Sequence, residues 1–209
     1  MNRRQAAMAA SRDAIIAAAG AQFARYGYEA TSFARIAEAM GRPKSAIGYH
    51  LFPSKHALAV AVIEEQQVRW TATVAEASDE PAGVERLTRV LLDTALETRE
   101  RPGAGGAVRL LRELLHTDVE VPRGFVWVDF IREQLDAARS EDAPPLPDRA
   151  EELLLEATFG LVTSSVPTTA EDLVDRLRAL WVPLLTSFGI PDAADRVASV
   201  AEAATSGRV

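Results

Sequence analysis

The chain has 209 residues, 48% of them hydrophobic, no cysteine and a formal net charge of −7. That length buries a full core as one small domain joined to a larger one, and the missing cysteine excludes disulfides and thiolate metal sites, as in an intracellular, cytoplasmic protein. Charge is uneven: residues 1–55 hold eight Lys+Arg against three Asp+Glu, a net of +5, so residues 56–209 carry −12 and only one end suits a polyanion.

Apolar residues recur at spacings of three and four throughout, with no sustained alternation bounded by hairpin turns, so the expected fold class is all-α. The start has arginines ahead of alanines, like a leader, but Arg12 and Asp13 interrupt the apolar run, and Ile15, Ile16, Ala19 and Phe23 fall on one helical face, which argues against secretion. The first helix is expected from about Arg12 to Tyr26, with Ser11 as N-cap and Gly27 as stop. Arg3 and Arg4 before it read as part of a disordered tail or as a minor-groove arm. A second helix starts after Thr31 or Ser32, buries Phe33, Ile36, Ala37 and Met40, and ends at Gly41. A third opens at Pro43, turns Ala46 and Ile47 inward, and shows Lys44, Ser45, Gly48 and Tyr49 outward. Two short helices about a glycine turn, the second displaying basic and hydroxyl groups, form the pattern of a helix-turn-helix. Lys44 and Lys55, the only lysines of the chain, both lie there.

Ser54 is placed to N-cap a long fourth helix that passes Leu58, Ala61, Val62 and Glu65 toward Trp70 and Val74. Breaks at 78–83 and at the glycine-rich 101–106 flank a fifth helix carrying Val84, Leu87, Leu91, Thr94 and Thr98. The sixth carries Val108, Leu111, Leu114 and Leu115, and the seventh spans roughly Arg123 to Ser140. Pro144, Pro145 and Pro147 enforce a loop. The eighth and ninth helices are strongly apolar, with Leu153, Leu154, Ala157 and Leu161 on one and Leu173, Leu177, Leu180, Trp181, Leu184 and Phe188 on the other. Pro167 separates them and Pro183 predicts a kink near Trp181. A weak last helix covers about Asp192 to Ala204. The leucine stripes suit either an ordinary core or a homodimer built through the eighth and ninth helices as a four-helix bundle. No stretch approaches the roughly 18 apolar residues of a membrane span. The chain shows no phosphate loop, nucleophile elbow or His-Glu-x-x-His pair, and His50, His56 and His116 are poorly spaced for a shared metal. No catalytic site, metal or cofactor is expected.

The first quarter resembles the DNA-binding domain of TetR-family transcriptional repressors. The residues that carry the resemblance are Ile15-Ile16, Ala18-Ala19, Phe23-Ala24, Gly27-Tyr28, Thr31, Ile36-Ala37, Gly41, Lys44, Ile47, Tyr49-His50, and Phe52-Pro53-Ser54-Lys55 with Leu58. The remainder is similar to one branch of that family, the receptors for γ-butyrolactone autoregulators and furan-type signals. The matching stretches are LAVAVIEEQQVRW, Val108-Arg109-Leu110, Trp127 within 122–135, and Leu177 to Leu185 around Trp181. Two departures stand out. Gly48 precedes Tyr49 where the family has an aromatic pair, with one extra residue near His50-Leu51, and Pro43-Lys44-Ser45-Ala46 replaces Thr-Lys-Gly-Ala. Glycine inside so short a helix costs up to about 1 kcal/mol relative to alanine.

The resemblance implies a helix-turn-helix domain over 1–53 and a ligand-binding and dimerisation domain over 54–209. It implies a homodimer on palindromic double-stranded operator DNA, released by a small hydrophobic signalling molecule, with no membrane partner. Lys44 and Ser45 would reach base edges from the helix that includes Gly48, and Arg42 a base or a phosphate. Thr31, Ser32, Tyr49, His50 and Lys55 would hold phosphates. For the signal it implies Trp127, with Leu110, Leu114, Phe130, Phe159 and Thr163 as lining residues. The alternative is a regulator of efflux or lipid-metabolism genes that answers a different hydrophobic ligand.

Overall fold

A computed structural model describes residues 3–43, 47, 51–114, 117, 120–122, 124–140, 142–164 and 169–206. Among them every regular element is a helix: α1 (Arg3–Ala30), α2 (Phe33–Ala39), α3 (Lys55–Glu76), α4 (Val84–Glu100), α5 (Pro102–Leu114), α6 (Trp127–Ala138), α7 (Ala150–Ser164), α8 (Ala170–Ser187) and α9 (Ala193–Ser206). None of these is long and apolar enough to cross a membrane.

The chain packs as two compact units. One comprises Met1–Arg69 with Thr98–Gly124, the other Trp70–Glu97 with Phe125–Val209. In the first, the expected face of α1 is buried as Ile15, Ile16, Ala19 and Phe23, against Ile36 and Ala37 of α2, Leu58, Val62 and Ile63 of α3, and Ala107, Leu110 and Leu114 of α5. Ile47, on the far side of the Gly41 turn, is buried in the same cluster; the rest of the expected third helix, 44–46 and 48–50, lies outside the described residues. Burying each leucine- or phenylalanine-sized side chain contributes about 1.5–3 kcal/mol.

Two expectations are corrected here. α1 starts at Arg3 rather than Arg12, so Ser11 sits inside a helix and caps nothing; Gln5, Ala6, Ala7, Met8, Ala9 and Ala10 are mostly good helix formers, and their propensity carries the helix backward without burial. The Arg3 and Arg4 segment is therefore helical rather than an extended tail. The glycine-rich stretch after Arg101 is likewise no break but the first turns of α5, opened by Pro102. Its glycines serve a close approach: a Cβ on Gly106 would stand 2.1 Å from the carbonyl oxygen of Gly20, and one on Gly20 would stand 2.7 Å from the Cα of Gly103. α1 and α5 thus meet backbone to backbone.

At its C-terminal end that seam is closed by a polar clamp. Gly27 breaks α1 with φ 77°, a conformation glycine adopts without strain, and a Cβ there would also collide with Glu113 and Arg109. The Glu113 carboxylate accepts from the Tyr28 backbone N–H at 2.6 Å and from Arg109 Nε at 2.7 Å, while Arg109 Nη1 donates to the Ala24 carbonyl at 3.0 Å. Burial pushes the Glu113 carboxyl upward, but the Tyr28 N–H, Arg109 and Arg112 outweigh it and hold the group below the ordinary glutamate range.

In the second unit α6 packs on α7, α7 on α8 and α8 on α9. Trp181 is buried at its centre, its indole Nε1 donating to Thr158 Oγ1 at 2.9 Å. Arg196 of α9 grips Glu85 of α4 with two bonds of 2.6 Å, and the Gln134 side-chain oxygen accepts from the Gly83 N–H at 3.1 Å. Thr169 caps α8, and Pro183 lies inside that helix without ending it.

Gly106→Ala should cost about 2 kcal/mol or more, because neither backbone can yield cheaply. Gly103→Ala, whose Cβ meets nothing within 4 Å, should be neutral or stabilise by up to about 1 kcal/mol; urea denaturation of the two variants reads the contrast. Because the clamp holds the Glu113 carboxylate, its contribution is complete above the unfolded glutamate pKa and is lost as pH falls through the lowered folded value. The Tm difference between wild type and Glu113→Gln should therefore be largest near neutrality, begin to shrink as pH falls below the unfolded glutamate pKa of about 4.3, and vanish only below the lowered folded value, as scanning calorimetry across that range would record.

Candidate functional site

The turn between α1 and α2 is built from side chains that cap backbone. Thr31 is only 1% exposed, and its hydroxyl donates to the carbonyls of Gly27 at 2.7 Å and Gln22 at 3.2 Å. Ser32 is the exposed N-cap of α2, its Oγ accepting from the Arg35 N–H at 3.3 Å. Lys55, the first residue of α3, places Nζ 2.9 Å from the Tyr28 carbonyl, 3.3 Å from that of Glu29, and 4.3 Å from the Tyr28 ring centroid. A cation over the last carbonyls of α1 is favourable for the same reason any cation is at a helix C-terminus. Burial first, and then the charge of Glu29, raise the Tyr28 phenol above its usual range.

Of the residues expected to touch DNA, Thr31, Ser32, Arg42 and Lys55 are described. Thr31 and Lys55 are placed as caps of the α1 turn; Ser32 and Arg42 are exposed, the latter just past the Gly41 turn, where φ is 62°. Lys44, Ser45, Gly48, Tyr49 and His50 lie outside the described residues.

A basic feature that the sequence reading missed lies beside them. The guanidinium of Arg35 sits 4.2 Å from the Tyr26 ring centroid and that of Arg25 sits 5.1 Å from it, so two exposed cations share one aromatic ring. Arg25 and Arg35 come from different helices, and no spacing rule along the chain pairs them.

The residues expected at a signal site divide between the two units. Leu110 and Leu114 are fully buried in the core of the first. Trp127, Phe130 and Phe159 come together in the second, with Trp70 and Phe125, which the sequence reading did not include. Trp127 is the hub: its ring centroid lies 4.9 Å from Phe125, 5.4 Å from Trp70, 5.5 Å from Phe159 and 6.2 Å from Phe130, edge-on in each case. Trp70 is 1% and Trp127 7% exposed, and neither indole N–H has a hydrogen-bond partner. Thr163 donates its hydroxyl to the Phe159 carbonyl of its own helix at 2.7 Å.

A separate cavity of about 210 Å³ in the first unit is lined by Ile16, Val62, Pro102 and Gly103 among others, with the Glu65–Arg101 ion pair beside it. None of the expected signal-site residues lines it. Among the described residues no cluster of His, Asp and Glu could hold a metal ion.

Residues 15–62 match the family of bacterial regulatory proteins described as the tetR family. No curated protein matches the chain. Among solved structures it is similar to TylP, a TetR regulator from Streptomyces fradiae, at 28% identity over 94% of this chain and 99% of that one, with a TM-score of 0.61. It is similar to a γ-butyrolactone receptor described as an ArpA-like protein, at 25% identity over 92% and 96% of the two chains, with a TM-score of 0.68. It shares the fold of CprB from Streptomyces coelicolor, solved with its biological operator sequence, at 24% identity over 92% and 94%, with a TM-score of 0.67. The matched segment is the buried α1–α2 head with its Gly41 turn and the start of α3, and the likeness continues along nearly the whole chain. The head of the chain, residues 15–62, thus matches the tetR family of bacterial regulatory proteins, and the chain as a whole is similar to TetR regulators of known structure.

Proposed function

We propose that the protein is a ligand-responsive repressor that grips a palindromic operator as a homodimer and releases it when a small apolar signal of the γ-butyrolactone or furan class binds. The reading head is residues 1–53 and the ligand-binding and dimerisation part is 54–209. The observation that carries the ligand class is the ring cluster about Trp127. Its walls are apolar and its polar atoms are few, which suits a lactone whose oxygens need only one or two donors. The likeness to a γ-butyrolactone receptor supports the same class.

On the DNA side, Lys44 and Ser45 reach base edges, and Ser32, Arg42, Tyr49 and His50 hold backbone phosphates together with the Arg25 and Arg35 pair. Lys55 and Thr31 act one step back, fixing the turn from which α2 starts. Pairing of two chains through α7 and α8 sets two heads roughly 34–36 Å apart, the repeat of successive major grooves. CprB, whose structure holds its operator, offers the precedent for DNA binding by this fold. A signal shifts such an equilibrium only by its difference in affinity between gripping and released forms, typically about 1–3 kcal/mol.

Gel-shift titration with promoter fragments from the protein's own locus tests the reading. Lys44→Ala should weaken operator binding and reduce the slope of affinity against salt by about one, with the melting temperature unchanged. Trp127→Ala should bind the operator as wild type does and no longer let go when organic extract of the culture is added. Release only by cationic drugs or acyl thioesters would reject the lactone class, and a monomer blind to every fragment would reject the whole proposal.

A further inference from the structure

Among the buried polar atoms of the second unit that lack a hydrogen-bond partner, two are indole nitrogens of one ring cluster. The unit contains all three tryptophans of the chain. Trp181 is treated as a buried indole usually is, with Thr158 Oγ1 supplied as acceptor at 2.9 Å. Trp70 and Trp127 lie edge to face at 5.4 Å, both more than nine-tenths buried, and both with Nε1 unpartnered. Buried indole N–H groups normally find an acceptor. The five rings about them are hydrocarbon apart from these two nitrogens, so the cluster supplies donors and no acceptor.

We infer that Trp70 is a second ligand-donor residue beside Trp127, and that the pair selects an uncharged molecule bearing at least two hydrogen-bond-accepting oxygens on an otherwise apolar frame. This rests on the reading of the Trp127 cluster as the signal site and adds to it both a residue and a charge rule. An indole nitrogen donates and never accepts, so two of them disfavour an ammonium group despite the aromatic walls that would otherwise attract a cation. A carboxylate would be buried with neutral donors alone, and the five ring-bearing residues offer no cation to pair with it. A cyclic ester meets the remaining requirement: its carbonyl and a second oxygen accept while its carbon chain lies against the phenylalanines.

The test uses the intact protein and three probes of matched chain length: γ-decalactone, decanoate and decyltrimethylammonium. In a ¹⁵N-labelled sample the three indole N–H signals, assigned through Trp127→Phe and Trp181→Phe with Trp70 by elimination, are followed during titration. The lactone should move Trp70 and Trp127 downfield together and leave Trp181, which already has its acceptor, in place. Trp70→Phe, which keeps an aromatic ring and removes the donor, should bind the lactone about fivefold to tenfold more weakly, the effect of one neutral hydrogen bond. If the lactone moves Trp127 and not Trp70, or if Trp70→Phe folds and binds it as wild type does, the role of Trp70 is overturned while the Trp127 site stands. A response of the pair to decyltrimethylammonium or decanoate in preference to the lactone overturns the charge rule. Silence of both indoles toward all three probes at their solubility limits overturns the inference entirely, and release of the operator by culture extract then decides the broader reading on its own.

Discussion

The closest constraint in this molecule is the meeting of α1 and α5 at backbone distance. Helices with ordinary side chains between them pack roughly 8–10 Å apart; the glycines at positions 20 and 106 remove the side chains that keep most pairs at that spacing. Interiors packed so tightly do not deform continuously, so α5 can move α1 only as a body. At the end of the seam Glu113 and Arg109 hold the backbone of Tyr28 and Ala24. From there Thr31, Ser32 and Lys55 fix the turn that launches α2. The orientation of α2 is thereby set by groups of α1, α3 and α5. The 48 residues that match the family include none of α5.

Much of this was legible in the sequence. The period of the apolar residues gave the helices, Ser32, Ser54 and Thr169 have the side chains that caps require, and the Gly41 turn with its flanking core marked the head. What escaped has a common cause. The α5 glycines look like a break because helix propensity penalises them, and only knowledge of the opposing Gly20 backbone turns that penalty into a packing requirement. Residues 3–11 look like a tail because nothing in them needs burial, yet local propensity alone extends the helix. Trp70 and Phe125 escape for a related reason: Trp70 stands in a largely polar stretch of α3 and Phe125 precedes α6, and a cluster of rings drawn from α3, α6, α7 and the approach to α6 has no period along the chain. The family resemblance assigns Lys55 to a phosphate; its ammonium also caps α1, a contact that no spacing along the chain predicts.

The polar economy of the two units differs in a way that bears on function. Around the turn from α1 to α2 several polar groups fix backbone: a hydroxyl on carbonyls, a carboxylate on an N–H, an ammonium on a helix end. In the ring cluster two donors stay buried and unpaired, at a cost of about 1–3 kcal/mol each. A fold of marginal stability, on the order of 5–15 kcal/mol, gives up a sizeable fraction of it there. A bound molecule with suitable oxygens, of the kind proposed above, would offset such a cost.

The chain itself connects the costly cluster to the ordered head. α3 is one helix from Lys55 to Glu76, and Trp70 follows Gln67 by three residues along it. Phe125 directly follows Gly124. The Gln67 side chain donates to the Pro122 carbonyl at 2.6 Å and accepts from the Gly124 N–H at 3.0 Å, so a single clasp ties together the two stretches that lead to Trp70 and to Phe125. The clasp lies within the first unit, and the two rings that follow it in the chain belong to the second. Two hydrogen bonds of about 1 kcal/mol each are comparable to the 1–3 kcal/mol that separates a regulator's gripping and releasing forms.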